Sequence, residues 1–354
     1  MEIVKINKSR ISKVNFSNLI FGEEFTDHMF TCDYVEGKWI NPKIVPYEKL
    51  KMDPSSSVFH YGQSVFEGMK AYKDGNNEVF MFRPEENFKR LNKSAKRLSI
   101  PEFPKKYFFN ALEILLNFDK EWIIPGIGNS LYIRPFVFAN QAGVQASPAN
   151  KYMFLIICTP VKEYYSDKVN VLIAEKYSRA ASGGVGYAKA AGNYAAQFYP
   201  TSLAQKQGYE QIIWTDANNH EYLEEAGTMN IFFRIGDTLI TAPNNDRILD
   251  GVTRKTIIEI CEYLKINIEV RPISVKELLL AHNDNSLKEI FGSGTAVVIL
   301  PIKSFSYKNV HYNIPESKDP KSGFLKKKIM DIQYNIGEDP FKWRYKIPKL
   351  TFSK

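Results

Sequence analysis

Apolar residues recur between positions 78 and 118 with the spacing of one strand followed by two helices. A strand is predicted at Glu78–Phe82, and Pro84 suits the start of a helix because a proline there loses no hydrogen bond. The apolar stripe of this helix consists of Phe88, Leu91, Ala95 and Leu98. Arg90 lies off the stripe, so periodicity predicts a solvated side chain. A second helix is predicted at about 106–118.

The rest of the chain alternates between strand-like runs and helices. The runs Leu131–Phe138 and Tyr152–Cys158 are rich in aromatic and β-branched residues, which favour strands. A polar stretch containing Pro160 follows and indicates a linker. Beyond it, helices at about 194–207 and 254–265 interrupt short strands. The predicted strands are 169–174, 211–215, 230–234, 238–241, 267–271 and 288–291.

These elements predict an α+β protein of two domains. Strands and helices mix without the regular β-α-β alternation of a doubly wound sheet. A chain of 354 residues is long enough for two domains, since one domain usually takes about 100–200 residues. We predict a first domain at 1–160, a linker at 161–169 and a second domain at 170–354.

Composition excludes several classes of protein. Hydrophobic residues make up 44% of the chain and charged residues 24%, which is typical of globular proteins rather than disordered ones. No run reaches the roughly 18 apolar residues of a membrane helix, and no apolar secretory segment opens the chain, so we expect a cytoplasmic protein without a membrane partner. The cysteines, Cys32, Cys158 and Cys261, are too far apart for a disulfide framework or a paired metal motif, so no metal is expected.

The net charge of +8 raises the alternative of a basic nucleic-acid-binding protein. The densest basic run is 326–328. Leu325, Ile329 and Ile332 flank it at helical spacing, which indicates a solvated face of an amphipathic helix. Other basic residues are dispersed among acidic ones. We therefore expect no nucleic-acid partner and keep this alternative as a remote one.

Four segments combine glycines and small residues with a few charged or phenolic side chains, which lets the backbone approach a ligand closely. They are Ser182–Tyr194, Leu223–Phe232, Leu249–Arg254 and Phe291–Ala296. The first surrounds Lys189, a candidate amine nucleophile, and the third leads into a helix whose first amides can bind phosphate. Taken singly, each also fits an ordinary reading: an exposed lysine, a hairpin with solvated glutamates, a helix cap or a glycine turn.

Taken in order, these segments resemble the class IV aminotransferases, which are fold-type IV enzymes of pyridoxal 5′-phosphate (PLP). The family signature runs from an acid through an Asn and two apolar residues to a Thr, then a Gly, an aliphatic residue and a base. It is matched by Glu225, Asn230, Ile231, Phe232, Thr241, Gly251, Val252 and Arg254. Within that class the chain resembles branched-chain amino acid aminotransferases over nearly its whole length, through the runs 25–29, 60–72, 82–84 and 131–135.

The resemblance implies a small α/β sandwich domain, a larger pseudo-barrel α+β domain and a homodimer. It also implies PLP as cofactor and reversible, ping-pong transfer of an amino group between L-leucine, L-isoleucine or L-valine and 2-oxoglutarate. D-amino acid aminotransferases and aminodeoxychorismate lyases share the Lys and Glu positions, but as a rule they lack the run Phe-Glu-Gly-Met-Lys-Ala of residues 66–71. They are the alternatives within the class.

The resemblance also implies roles for single residues around the cofactor. Lys189 would form the aldimine and then move the proton between the substrate Cα and the cofactor C4′. Glu225 would face the pyridine nitrogen, and Tyr194 would donate to the phenolic oxygen. The implied phosphate partners are Arg90, Val252, Thr253 and Thr295. Glu224 is one position off the signature and is interpreted as a structural or surface residue.

On the substrate side, the resemblance implies an apolar pocket and donors for two carboxylates. The implied pocket residues are Phe25, Tyr61, Tyr132 and Thr228, with Phe21 able to fill the space of Phe25. Thr295 and Ala296 would offer amides to the α-carboxylate, and Arg134 would meet the distal carboxylate of glutamate or 2-oxoglutarate. Val297 and Leu300 stand where some members carry a redox-sensitive cysteine pair, so no thiol switch is predicted there.

Overall fold

The computed structural model describes residues 1–162 and 168–351 and divides into two compact units. Unit 1 comprises residues 1–164, 188–191 and 330–354, and unit 2 comprises residues 165–187 and 192–329. Most of the predicted linker, positions 163–167, lies outside the described residues. The predicted domain boundaries therefore stay a prediction.

Unit 1 is built on one mostly antiparallel sheet. Its strands are β1 (Glu2–Ile3), β2 (His28–Val35), β3 (Lys38–Pro46), β4 (Ser64–Phe66), β5 (Met69–Lys73), β6 (Val79–Phe82), β7 (Ser130–Ala139), β8 (Tyr152–Val161) and, from the end of the chain, β18 (Arg344–Lys346). Their order is β1-β3-β2-β8-β7-β5-β6-β18, and β4 pairs with β7. Its helices are α1 (Ser57–Tyr61), α2 (Pro84–Arg97) and α3 (Lys105–Phe118), with 3₁₀ turns at Ile11–Lys13 and Lys120–Trp122.

The core of unit 1 forms where aromatic side chains of the sheet meet the helices. Phe103 stacks on Phe154 with ring centroids 3.7 Å apart, and Phe30 meets both rings edge-on. Burying such rings supplies most of the stabilisation of a sheet face, and their offset geometry fixes how the layers pack. Pro84 opens α2 as predicted, and Leu91 and Ala95 of its predicted stripe are buried.

Unit 2 contains a sheet that closes on itself. Its strands are β9 (Val169–Ile173), β10 (Gln211–Thr215), β11 (Leu223–Ala226), β12 (Met229–Ile235), β13 (Thr238–Thr241), β14 (Ile268–Val270), β15 (Leu287–Gly294), β16 (Val298–Tyr307) and β17 (Val310–Asn313). Their order is β11-β10-β9-β16-β15-β12-β13-β14, with β17 beside β16. Because β11 also pairs with β12, six of these strands form a closed ring.

The ring of unit 2 encloses an aliphatic and aromatic core. Its fully buried members include Val171, Ile213, Phe233 and Phe305. The helices α5 (Val252–Tyr263) and α6 (Val275–Asn283) connect strands of this sheet, while α4 (Ala191–Lys206) and α7 (Lys321–Gln333) each begin or end in residues assigned to unit 1. Helices and strands mix irregularly in both units, which confirms the predicted α+β class.

The basic run 326–328 lies on α7. Leu325, Ile329 and Ile332 are buried, while Lys327 and Lys328 are exposed, so the predicted amphipathic helix is confirmed. Among the described residues, no helix has both the length and the apolar composition needed to cross a bilayer.

Candidate functional site

Lys189 is held in unit 1 through its backbone. Its amide donates to the Ser94 Oγ of α2 at 2.9 Å, and its carbonyl accepts a hydrogen bond from the Phe66 amide of β4 at 3.1 Å. The next residue, Ala190, forms an isolated antiparallel bridge with Val65. None of these contacts involves the lysine side chain, so the backbone alone fixes the position of Lys189 in unit 1.

The Phe66 ring brings the lysine amine and Arg134 together. The Lys189 Nζ lies 4.9 Å from the centroid of this ring, and the Arg134 guanidinium lies 4.4 Å from it. Both cations gain from the negative face of the aromatic ring. Arg134 Nη2 also donates to the Tyr132 hydroxyl at 3.1 Å, while its buried Nε has no hydrogen-bond partner among the described residues. Three predicted residues, Lys189, Arg134 and Tyr132, therefore cluster around Phe66.

Gly68 leaves the space that the Tyr132 hydroxyl occupies. A Cβ built on Gly68 would lie 1.9 Å from Tyr132 Oη, far inside van der Waals contact. We expect Gly68→Ala to push the ring aside at a cost of about 1–3 kcal/mol of unfolding free energy and, because the resemblance implies that Tyr132 lines the substrate pocket, to raise KM more than it lowers kcat. Urea unfolding and steady-state kinetics measure the two effects.

The matched control for this substitution is Gly75→Ala, because a Cβ on Gly75 would meet no atom within 4 Å. Gly75 lies in the exposed turn after β5. An unchanged KM in Gly68→Ala would contradict the assignment of Tyr132 to the substrate pocket.

Arg90 of α2 is buried in an ion pair with Glu67, so the prediction of a solvated side chain was wrong. Its Nε and Nη2 lie 2.7 and 2.9 Å from the two carboxylate oxygens of Glu67, whose side chain is fully buried. Asn87 donates to the same carboxylate at 2.8 Å. Helical periodicity predicts which apolar side chains face the core. It does not predict a buried charged side chain whose partner, here Glu67, lies 23 residues away in the chain.

The Glu67 carboxyl is ionised in this environment. Burial raises its pKa, but the charge and hydrogen bonds of Arg90 outweigh that effect, and Lys189 and Asn87 act in the same direction. The net result is a Glu67 pKa below its ordinary value. The charged form of Glu67 is therefore favoured, in direct contact with the phosphate candidate Arg90 and under the electrostatic influence of Lys189.

The predicted pocket residues of unit 1 do not all lie together. Phe21 meets Tyr132 edge-on with centroids 5.0 Å apart, whereas Phe25 stacks on Tyr47. Contact with Tyr132 therefore favours Phe21 over Phe25 as the pocket residue. Tyr61 is 47% exposed and its hydroxyl donates to the Val144 carbonyl, which places it on the surface of this unit.

In unit 2, Glu225 of β11 is buried and surrounded by donors. Its Oε1 accepts hydrogen bonds from Asn230 Nδ2 at 3.1 Å and from the Leu249 amide at 2.6 Å. Its Oε2 lies 2.9 Å from Arg179 Nε. The neighbouring Glu224 is also buried, in an ion pair with Arg247, so it is structural rather than a surface residue. The hairpin β11–β12 produces this arrangement by pairing Glu225 with Asn230.

The N-terminus of α5 carries Val252 and Thr253, both buried. The first amides of a helix have no partner within the helix, and the dipole there favours an anion. Gly251 precedes them, and a Cβ on it would lie 1.8 Å from Asn230 Oδ1, so only glycine fits while Asn230 holds Glu225 and the Leu249 carbonyl. The signature residues thus form one network that fixes the start of α5.

The remaining predicted residues of unit 2 lie at turns. Thr295 and Ala296 are half-buried between β15 and β16, next to Val298, whose φ of +60° is strained for a β-branched residue. Such strain concentrates at functional sites. Thr228 is exposed in the β11–β12 turn, and Tyr194 is half-buried in the first turn of α4.

Two charged residues of these networks escaped the sequence analysis. Glu67 stands in a run that was quoted for its resemblance, but no role was given to it. Arg179 lies 46 positions before Glu225, and no periodicity or motif connects them. The available signal was a charged residue beside a glycine-rich segment, which is weak by itself.

Comparison with known proteins agrees with this geometry. The family model for amino-transferase class IV matches residues 64–305. Branched-chain-amino-acid aminotransferase 2 of Bacillus subtilis is 38% identical, covering 99% of this chain and 98% of that protein. Branched-chain-amino-acid transaminase 1 of the same organism is 42% identical over 94% and 95%.

The fold agrees as well. The crystal structure of a branched-chain amino acid aminotransferase from Escherichia coli superposes with a TM-score of 0.75 at 25% identity, covering 91% of this chain and 99% of that chain. Such agreement in sequence over almost the full length and in fold confirms the resemblance inferred from the motifs. The chain belongs to the class IV aminotransferase family and, within it, to the branched-chain amino acid aminotransferases.

Proposed function

We propose that this protein is a PLP-dependent aminotransferase that exchanges an amino group between L-leucine, L-isoleucine or L-valine and 2-oxoglutarate. The observation that carries the proposal is the full-length similarity to curated branched-chain aminotransferases, with Lys189, Glu225 and the start of α5 all intact.

The residues present fit PLP on structural grounds. Lys189 offers a primary amine on a residue whose backbone is held by Ser94, and Glu225 is a buried carboxylate whose orientation is fixed by Asn230 and Leu249. The N-terminus of α5 and the Arg90 guanidinium suit a phosphate dianion. A primary amine, a buried carboxylate and an anion site are the three kinds of group that the cofactor needs.

When bound, PLP supplies an electron sink that stabilises negative charge on the substrate Cα. We assign to the Lys189 amine the attachment of the cofactor and the movement of the proton at that carbon. We assign to Glu225 the holding of a proton at the pyridine nitrogen. Arg90, Val252, Thr253 and Thr295 would hold the phosphate, and Tyr194 would donate to the phenolic oxygen.

The substrate site has to accept both the branched aliphatic side chain of the amino acid and the distal carboxylate of 2-oxoglutarate. Tyr132, Phe66 and Phe21 provide apolar surface for a branched chain, while the Nε of Arg134, which has no hydrogen-bond partner in the described part of the chain, suits a carboxylate. We assign the amides of Thr295 and Ala296 to the substrate α-carboxylate and Thr228 to the substrate side chain. Aromatic rings would contact the side chain of L-leucine, and the Arg134 guanidinium would bind the distal carboxylate of 2-oxoglutarate, so one site would serve both substrates.

Visible absorption of the purified protein tests this function. We expect a yellow protein after PLP is added, bleaching of the yellow band with L-leucine and its return with 2-oxoglutarate. A colourless protein that does not bind PLP would refute the proposal. A yellow protein that responds to D-alanine but not to L-leucine would move the function to the D-specific relatives. Salt-dependent binding of nucleic acid without PLP binding would favour the remote alternative.

We further propose a cytoplasmic homodimer. Exposed aromatic side chains support association, since Phe59 and Tyr61 of unit 1 and Phe198 and Tyr199 of unit 2 are 47–69% exposed. The three cysteines are buried and free, which is usual for a protein of a reducing compartment. Light scattering of the purified protein would measure the mass against the 40.7 kDa of one chain.

A further inference from the structure

Arg179 contacts three separate segments of unit 2. Its Nε lies 2.9 Å from Glu225 Oε2, and its Nη2 donates to the carbonyl of Gly186 at 2.9 Å and to the carbonyl of Arg247. Only 6% of its side chain and 4% of that of Glu225 are exposed. A guanidinium binds several acceptors in a fixed planar arrangement, so one side chain sets the relative positions of all three segments.

Each of these segments leads to a proposed cofactor residue. Gly186 lies three positions before Lys189, and Arg247 lies in the loop that enters α5 at Val252. The glycine segment packs tightly against the loop before α5, because a Cβ on Gly186 would lie 2.6 Å from the Arg247 carbonyl oxygen. Movement of the Arg179 guanidinium would therefore disturb the glycine segment and the loop before α5 at the same time.

The contact with Glu225 is electrostatic in character. The Arg179 Nε is close enough for an ion pair, but it has no aligned hydrogen bond among the described residues. The aligned hydrogen bonds to the carboxylate come instead from Asn230 and Leu249, on Oε1. Arg179 thus contributes positive charge to Glu225, while the other donors set its orientation.

Other charged residues near Glu225 lie on α5, on β11 and in the loop before α5. Arg254 of α5 is buried and donates to the Ala242 carbonyl, and burial lowers its pKa against the opposing charges of Asp250 and Glu225. Glu224 of β11 lies beside Glu225, and its charge is countered by Arg247 and, more weakly, by Arg179. Among these cations Arg179 is the one in an ion pair with Glu225.

We propose that Arg179 is a positioning residue that sets the proton affinity of Glu225 toward the cofactor nitrogen and couples that carboxylate to the segments before Lys189 and α5. This inference rests on the proposed function. A cation at this distance stabilises the carboxylate and weakens it as a proton acceptor. Through Glu225, the same positive charge would act on the cofactor when it is bound.

Arg179→Gln tests both parts of this inference. We expect the Kd for PLP to rise about tenfold or more, because the three segments lose their common partner. We also expect the pH midpoint of the visible absorption of the PLP-loaded protein to rise by about one unit, because removing a positive charge favours the protonated form. Arg179→Lys keeps the charge but not the planar contacts, so it should weaken PLP binding with a smaller midpoint shift.

The matched control is Arg234→Gln. Arg234 is another buried arginine of unit 2, with 8% of its side chain exposed and its Nη1 3.0 Å from Glu289. Its loss should lower the Tm of the apoprotein but leave the PLP Kd and the pH midpoint unchanged. A general loss of packing would shift all readouts together in both variants, so this pairing separates positioning from stability.

Each outcome decides the inference. Wild-type values of Kd and midpoint in Arg179→Gln would overturn it, as would equal shifts in Arg234→Gln. If Arg179→Gln does not fold, Arg179→Lys decides alone, and an unchanged PLP Kd in that variant would overturn it. Failure of the wild-type protein to bind PLP would instead refute the proposed function, so the two failures are distinguishable.

Discussion

The Lys189→Ala variant is expected to fold normally and to lose transamination by about 10³-fold or more. The amine is assigned both the attachment of the cofactor and the movement of the proton, and a positioned acid–base group alone contributes roughly 10²–10⁴ in rate. The fold should survive because the Lys189 amide, its carbonyl and the bridge at Ala190 do not depend on the side chain. Measurement of kcat with L-leucine, together with Tm, checks both statements.

Two controls accompany this variant. Lys189→Arg keeps a cation near Phe66 but replaces the amine with a guanidinium that stays charged, so activity should still be lost. Lys73→Ala removes another buried lysine of unit 1, which lies 3.9 Å from Glu121 and whose pKa is lowered by burial. It should cost stability and leave kcat near that of the wild type. A Lys189→Ala variant that kept a tenth of the wild-type kcat would contradict the assigned role.

Sequence patterns predicted the elements whose signals are local. Pro84 marks the start of α2. The hairpin that was the ordinary reading of 223–232 exists as β11–β12, with Gly227 at a φ of +58°, but its glutamates are buried rather than solvated. Helix α6 was not predicted, although Ser274 caps it by accepting a hydrogen bond from the Glu277 amide. A serine followed three positions later by glutamate is a recognised signal for the start of a helix, so this helix could have been predicted from the sequence.

Long-range charge contacts were beyond local patterns. Arg90 pairs with a carboxylate 23 positions away, and Arg179 pairs with one 46 positions away, so neither contact leaves a periodic trace. The closure of the ring depends equally on pairs of strands that are distant in the chain, such as β9 with β16 and β12 with β15. Candidate residues could be named from motifs, but the networks that orient them required the folded structure.

The Glu67→Ala variant is expected to be the most strongly destabilised of those considered, by about 3–5 kcal/mol in the free energy of unfolding. Removing one partner of a buried ion pair leaves the other charge buried without compensation, which here is Arg90. Asn87 and the Gly68 amide lose an acceptor as well. Because the freed guanidinium is no longer oriented, PLP affinity should fall too. Urea unfolding measures the first effect and PLP titration the second.

A double-mutant cycle separates these two effects. Glu67→Met combined with Arg90→Met removes both charges, so much of the lost stability should return while PLP affinity stays low.

Acid provides a second check, because the Glu67 pKa is lowered in the fold. Its contribution is therefore complete above the unfolded pKa of about 4.3 and is lost as the pH falls further, so the gap between wild type and Glu67→Ala should narrow in acid. If wild type and Glu67→Ala were equally stable at neutral pH, groups other than Glu67 would be holding Arg90. A change in PLP affinity would then measure only the contribution of Arg90 to PLP binding.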